Sequence, residues 1–144
     1  MTDELIECIS LLKRESLTVA LIKGSEQLTS RQRGIKPLLN LLDRYGSLKG
    51  FYAADRVVGK AAACIYVLLG IKQLYALTVS DGACAVLDKY KIAYFYENRV
   101  PVIRNRTNTD SCPMEKATAD AEDPEQAIIL IREALVSLES GVNK

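Results

Sequence analysis

Apolar and polar positions alternate along this chain in short blocks of two different periods. Asp3–Arg14 places Leu5, Ile6, Ile9 and Leu12 on one face at helical spacing, with Asp3 and Glu4 where the helix dipole favours acid. Ser16–Lys23 is rich in β-branched residues and reads as a strand. Gly24-Ser25 is a two-residue hairpin signal, and Glu26–Ser30 is the returning strand. After the basic loop Arg31-Gln32-Arg33-Gly34 the pattern predicts a helix over Ile35–Tyr45, with Pro37 in its first turn and Gly46 past its end. Gly50–Ala54 is a third strand. Gln73–Val79 is a fourth, apolar on both faces except at Thr78, as suits a strand covered on two sides. Ala93–Tyr96 is a fifth. Helices fill the intervals, one ending at Leu69 before Gly70 and one over Ala83–Lys91.

The stretch Asp55-Arg56-Val57-Val58-Gly59-Lys60-Ala61-Ala62-Ala63, continuing through Cys64 to Leu69, is the centre of this arrangement. It reads as a strand end, a sharp turn and the first turn of a helix. Ala61–Leu69 carries no charge and a single hydroxyl, so that helix is expected to be covered on most sides. Beyond Val100 the periodicity fails as far as Ser111. Cys112-Pro113-Met114-Glu115 then opens a short helix to Ala119, and Asp123-Pro124-Glu125-Gln126 opens a last one as a capping box. That helix shows Ile128, Ile131, Leu135 and Leu138 on one face, runs to about Glu139 and has Gly141 as its stop. Strand, helix, strand, helix, strand with short loops requires right-handed parallel crossovers. Together with the hairpin this predicts an α/β fold, a three-layer α/β/α sandwich around a five-stranded mixed sheet, as one domain over residues 1–144.

Composition narrows the function by exclusion. The net charge is +1, which gives no global field for nucleic acid or an anionic membrane, and no apolar run approaches the ~20 residues of a membrane span. Met1-Thr2-Asp3-Glu4 is acidic at once, unlike a signal peptide, so a cytoplasmic location is expected. Cys8, Cys64, Cys84 and Cys112 form no CxxC pair and read as reduced thiols. Histidine is absent, which excludes a Ser-His-Asp or Cys-His arrangement within one chain. No metal or cofactor is expected.

In open α/β sheets ligands bind beyond the carboxyl ends of parallel strands. Two strand-to-helix turns fall there, Asp55–Lys60 and Ser80–Ala83, each offering backbone N–H groups to an anion. Lys60 opposes the dipole of its own helix and needs a negative partner, either Asp55 in a plain salt bridge or a bound anion. Ser80 and Asp81 are good N-caps and need no ligand for that role. Cys112 and Glu115 sit at the start of the short helix, a position that favours a thiolate, although Glu115 one turn along opposes it and a structural thiol is the alternative. Arg104 and Arg106 flank Asn105 on the long loop and have the chemistry to clamp a phosphate or carboxylate.

Taken in order, Asp55-Arg56-Val57-Val58-Gly59-Lys60-Ala61-Ala62-Ala63, Ser80, Asn105-Arg106 and Cys112-Pro113-Met114-Glu115 resemble the pattern of a small prokaryotic domain-of-unknown-function family with a cytidine-deaminase-like fold. The resemblance spans nearly the whole chain and implies a fold and a pocket rather than a reaction. Zinc deaminases need a His or Cys with a nearby Glu at one helix start and Pro-Cys-x-x-Cys at the next. Here the first helix offers Gly59-Lys60-Ala61-Ala62 and the second Asp81-Gly82-Ala83-Cys84, so zinc-dependent deamination is not expected. The leading expectation is a zinc-free domain that binds a small anionic, nucleotide-like ligand through Asp55, Gly59, Lys60, Ser80, Asp81, Arg104, Asn105 and Arg106. One alternative is an enzyme with Lys60 or Cys112 as nucleophile and Glu115 beside it. Another is an interaction module that forms a homodimer.

Overall fold

The computed structural model describes residues 1–140. Helix α1 (Asp3–Arg14) begins at Thr2, whose hydroxyl accepts from the N–H of Leu5. Strand β1 (Val19–Lys23) turns at Gly24-Ser25 into β2 (Glu26–Ser30), with Lys23 opposite Glu26 and Val19 opposite Ser30. Helix α2 (Lys36–Tyr45) carries the chain to β3 (Tyr52–Val58). Two crossovers follow: α3 (Lys60–Leu69) to β4 (Gln73–Ser80), and α4 (Asp81–Lys89) to β5 (Ala93–Val100). Helices α5 (Pro113–Thr118) and α6 (Pro124–Ser140) complete the described residues, and Gly141, the expected stop of α6, lies outside them.

The sheet order is β2-β1-β3-β4-β5. β1 pairs antiparallel with both β2 and β3, while β3, β4 and β5 run parallel. The sheet is thus five-stranded, mixed and open. α1 covers one face, where Leu5, Cys8, Leu11 and Leu12 pack on Ala20, Ile22, Tyr52, Ala54 and Tyr75. On the other face Leu21, Ala53, Leu74 and Ala76 meet residues of α2, α3 and α4, and Ile131 brings α6 into the same core. The register of two explains the division, since alternate residues of one strand feed opposite faces.

Helix α3 lies at the centre. Ala61 through Tyr66 and Leu69 are all buried, and α2, α4, α5 and α6 all contact the helix. Its alanines allow these close approaches, and Gly70, at φ 74°, ends it with its N–H turned back to Tyr66 and Val67. Each fully buried aliphatic side chain here, such as Ile65 or Leu69, contributes roughly 1.5–3 kcal/mol.

Several element limits differ from the pattern. β3 continues through Asp55 to Val58 rather than ending at Ala54, because Asp55, Val57 and Val58 pair with Ala76, Thr78 and Val79 of β4. Its charged residues hid this: Asp55 is met by the Tyr66 hydroxyl of α3 and Arg56 by the Leu17 and Leu12 carbonyls. β5 likewise runs on to Val100, paired with Ser80. β1 starts at Val19 because Ser16, at φ 52°, still belongs to the turn that ends α1. α4 begins at Asp81, directly after Ser80. Ile6 is 50 % exposed and Leu138 is 40 % exposed, so the buried stripes are narrower than the apolar residues suggested. Among the described residues no helix is long and apolar enough to cross a membrane.

Candidate functional site

The turn from β3 into α3 has no cap of its own. Gly59 occupies the N-cap position in an extended conformation and offers no side chain. The cap comes from Glu115 in α5, across 55 residues of chain: its Oε1 accepts from the Lys60 N–H at 2.8 Å. Its Oε2 accepts from the Ile103 N–H at 2.9 Å. A Cβ at position 59 would lie 2.7 Å from Glu115 Oε1 and 3.2 Å from Ile103 Cγ1. Glycine is required here for the approach of that carboxylate, not for its φ. The dipole of α3 is thus met by an anion of the chain itself.

Lys60 turns the other way. Its Nζ donates to Ala119 O at 3.1 Å and Ala121 O at 3.0 Å, carbonyls at the end of α5. Its partners are therefore two carbonyls, in place of Asp55 or a bound anion. Residue 60 grips α5 at both ends, by its amide at the start and by its ammonium beyond the finish. The unfavourable placement of a cation at the start of α3 is offset by its favourable placement at the end of α5.

Asp55 is a buried residue of β3, only 9 % exposed. Its Oδ2 accepts from the Tyr66 hydroxyl at 2.6 Å and its Oδ1 from the Val57 N–H at 3.3 Å. Burial pushes its pKa up to about 6, against the pull of Tyr66 and of the Val57 and Arg56 amides. The Tyr66 hydroxyl is itself raised well above its ordinary value, by burial first and by Asp55 second. Arg56 points away from Asp55, with Nε donating to Leu17 O at 2.6 Å and a terminal nitrogen to Leu12 O at 3.3 Å.

Asp55, Arg56, Gly59, Ile103 and Glu115 border a cavity of about 460 Å³, within the range of small-molecule sites. Its apolar wall is built from Val19, Ile35, Pro37, Leu38, Ala61, Ala62, Ile103 and Met114. Its polar groups include Asp55, Glu115, Cys112, Arg33, Arg56 and Arg106. Among the described residues Arg33 and Arg106 make no hydrogen bond or ion pair through their side chains, and both are exposed. Cys112, at the N-cap of α5, is the half-buried one of the four free thiols.

Of the residues singled out in the sequence, the cavity gathers Asp55, Gly59, Arg106, Cys112 and Glu115. Lys60 instead borders a second cavity of about 230 Å³, with Cys64, Gly82 and Ala121. Ser80 is fully buried and caps α4, its Oγ accepting from the Ala83 N–H at 3.1 Å. Asp81 is exposed and pairs with Arg99 at 2.7 Å. Arg104 bonds Asn108 Oδ1 at 3.3 Å, and Asn105 organises its own loop by accepting from the Thr109 N–H at 3.0 Å. Arg33 also lines the cavity without a signal of its own: the sequence shows a basic loop, but nothing in the local pattern places that loop beside the β3–α3 turn.

The arrangement is that of an α/β domain whose C-terminal segment closes a cavity at the end of a parallel strand. The chain belongs to the TM1506 family, described as a domain of unknown function (DUF1893), whose profile matches residues 7–135. It is similar to the crystal structure of a DUF1893 family protein (TM1506) from Thermotoga maritima, with a TM-score of 0.86 and 24 % identity. That likeness covers 92 % of this chain and 91 % of the other, and at this identity it shows the fold. No curated protein matches the chain.

Proposed function

We propose that this domain binds a small anionic, nucleotide-like ligand in the cavity at the β3–α3 turn, on a cytidine-deaminase-like scaffold without a zinc site. The observation that carries the reading is the pair Arg33 and Arg106, two exposed guanidinium groups without partners among the described residues on the wall of one largely apolar cavity. Two such forks suit a phosphate or carboxylate, and the apolar wall suits a ring. Glu115 does not oppose the anion strongly, because two backbone N–H groups hold its charge. The zinc-free reading is supported by the ligand set. Gly59 to Ala62 supply no side-chain donor except Lys60, Cys84 is buried, and no three His, Cys, Asp or Glu groups cluster among the described residues.

The test is a thermal-shift screen with nucleotides, sugar phosphates and dicarboxylates on three proteins: wild type, the double variant Arg33→Ala/Arg106→Ala, and Lys60→Met. At least one ligand should raise the melting temperature of wild type and Lys60→Met but not of the double variant. A screen with no hit, or an equal response in the double variant, removes the reading.

A second reading is an enzyme that uses Cys112 as nucleophile. It is favoured by that thiol being the one cysteine on the cavity wall. Lys60 is the poorer choice, since its ammonium is held by two carbonyls. Dilute iodoacetamide followed by mass spectrometry should alkylate Cys112 faster than free cysteine, and an equal or slower rate removes this reading.

A further inference from the structure

Asp55 is the polar group of the cavity that an anion clamp leaves unused. Its two hydrogen-bond partners, the Tyr66 hydroxyl and the Val57 N–H, are both neutral donors, and the nearby Arg56 N–H, also neutral, donates to Thr18 O of the neighbouring chain segment. The neighbouring cations are engaged elsewhere: Arg56 donates to the Leu17 and Leu12 carbonyls, and Lys60 to those of Ala119 and Ala121. The result is a nine-tenths buried carboxylate on a cavity wall without a cation. Each of its oxygens has lone-pair capacity beyond the one bond it accepts. A buried carboxylate in that state is satisfied best by N–H donors brought by a ligand.

The kind of donor follows from the walls. Ile35, Leu38, Ala61 and Ala62 are apolar, which favours a flat neutral ring over a free ammonium that would have to lose its water. Two adjacent N–H donors match the two oxygens of one carboxylate. Among the common bases guanine alone presents such a pair, N1–H beside the 2-amino group. Adenine and cytosine place an acceptor next to their amino group, and uracil flanks its N3–H with carbonyls. We propose that Asp55 is the specificity residue of this cavity and selects a guanine nucleotide, with the base on Asp55 and the phosphate at Arg33 and Arg106. This rests on the ligand-binding reading above and names the ligand class within it.

The test is isothermal titration of the full chain at neutral pH with GMP, IMP, XMP, AMP and CMP. GMP should bind about tenfold or more tightly than IMP, which lacks the amino donor, and than AMP or CMP, which set an acceptor against the carboxylate. Asp55→Asn should lose the GMP preference and turn toward XMP, whose 2-carbonyl accepts from the new amide. Tyr66→Phe keeps the carboxylate and should keep the order of ligands. Should Asp55→Asn not fold, the five ligands on the wild-type chain decide alone. GMP binding no better than AMP and CMP, while Arg33→Ala/Arg106→Ala abolishes all of it, overturns the role of Asp55 and leaves the anion clamp standing. Absence of binding by any of the five overturns the nucleotide assignment together with the proposal.

Discussion

The starts of α3 and α4 are two answers to one problem. Both follow a parallel strand, and both leave backbone N–H groups facing the carboxyl edge of the sheet. α4 solves it locally, with the Ser80 hydroxyl on the Ala83 amide and an acidic residue, Asp81, in the first turn. α3 has glycine at the cap, a lysine in place of an acid, and no local acceptor. Its solution comes from α5, and bringing α5 there closes the cavity. A helix start that lacks its own cap is therefore where a distant segment docks, and the self-sufficient start remains plain architecture.

The largest test of this contrast is electrostatic. Under α3 lies a buried carboxylate, whereas the acid at α4 is exposed and paired with Arg99. Asp55 has a folded pKa of about 6 against an ordinary 3.8. A raised folded pKa contributes stability that is fully present below the unfolded value and is lost as pH rises through the folded one. Wild type should therefore lose roughly 3 kcal/mol between about pH 4 and pH 6 relative to Asp55→Asn, read by urea unfolding across that window. Parallel curves for the two proteins would show that burial of this carboxylate does not govern the region.

Next comes the borrowed cap. Glu115→Ala should cost about 2–3 kcal/mol through the loss of two charge-assisted bonds. Gly59→Ala should cost about 1–3 kcal/mol in wild type, because its Cβ displaces the carboxylate. In the Glu115→Ala background the same Gly59→Ala change should cost less, about 0.5–1 kcal/mol from the Ile103 contact and the poorer N-cap, and an additive pair would show that the glycine does not serve the approach of the carboxylate. Ser80→Ala should cost about 1 kcal/mol at α4 and add to Glu115→Ala within about 0.5 kcal/mol, since the two caps share no partner. Lys60→Met should likewise cost about 1 kcal/mol, with thermal shifts by ligands unchanged. A lost ligand response in that variant would move the binding site to the second cavity.

Much of the fold was legible because its signals are local. The Gly24-Ser25 hairpin, the capping residues Ser80 and Asp123, and the apolar periods of α1 and β4 each follow from neighbours a few positions away. The Asp123 carboxylate does accept from the Gln126 N–H, at 2.7 Å. Asp55 was legible as important and illegible as a strand residue. A carboxylate inside a strand depends on a hydroxyl 11 positions ahead, on the covering helix. Lys60 was legible as anomalous, and its direction was not, since the carbonyls that hold it belong to the far end of another helix. Arg33 gave no site signal, because a basic loop is ordinarily a solvated one.

The amino-acid order by itself determined the alternation of elements, the parallel crossovers, the buried character of α3 and the absence of any histidine chemistry. These depend on the period of apolar residues and on residue types, which need no partner to be read. Only the tertiary structure decided that Glu115 caps α3, that Lys60 faces α5, and that Arg33, Asp55 and Arg106 share one cavity. Those outcomes depend on hydrogen bonds and charges meeting across tens of residues, and the register of such meetings is set by how the packed layers come together.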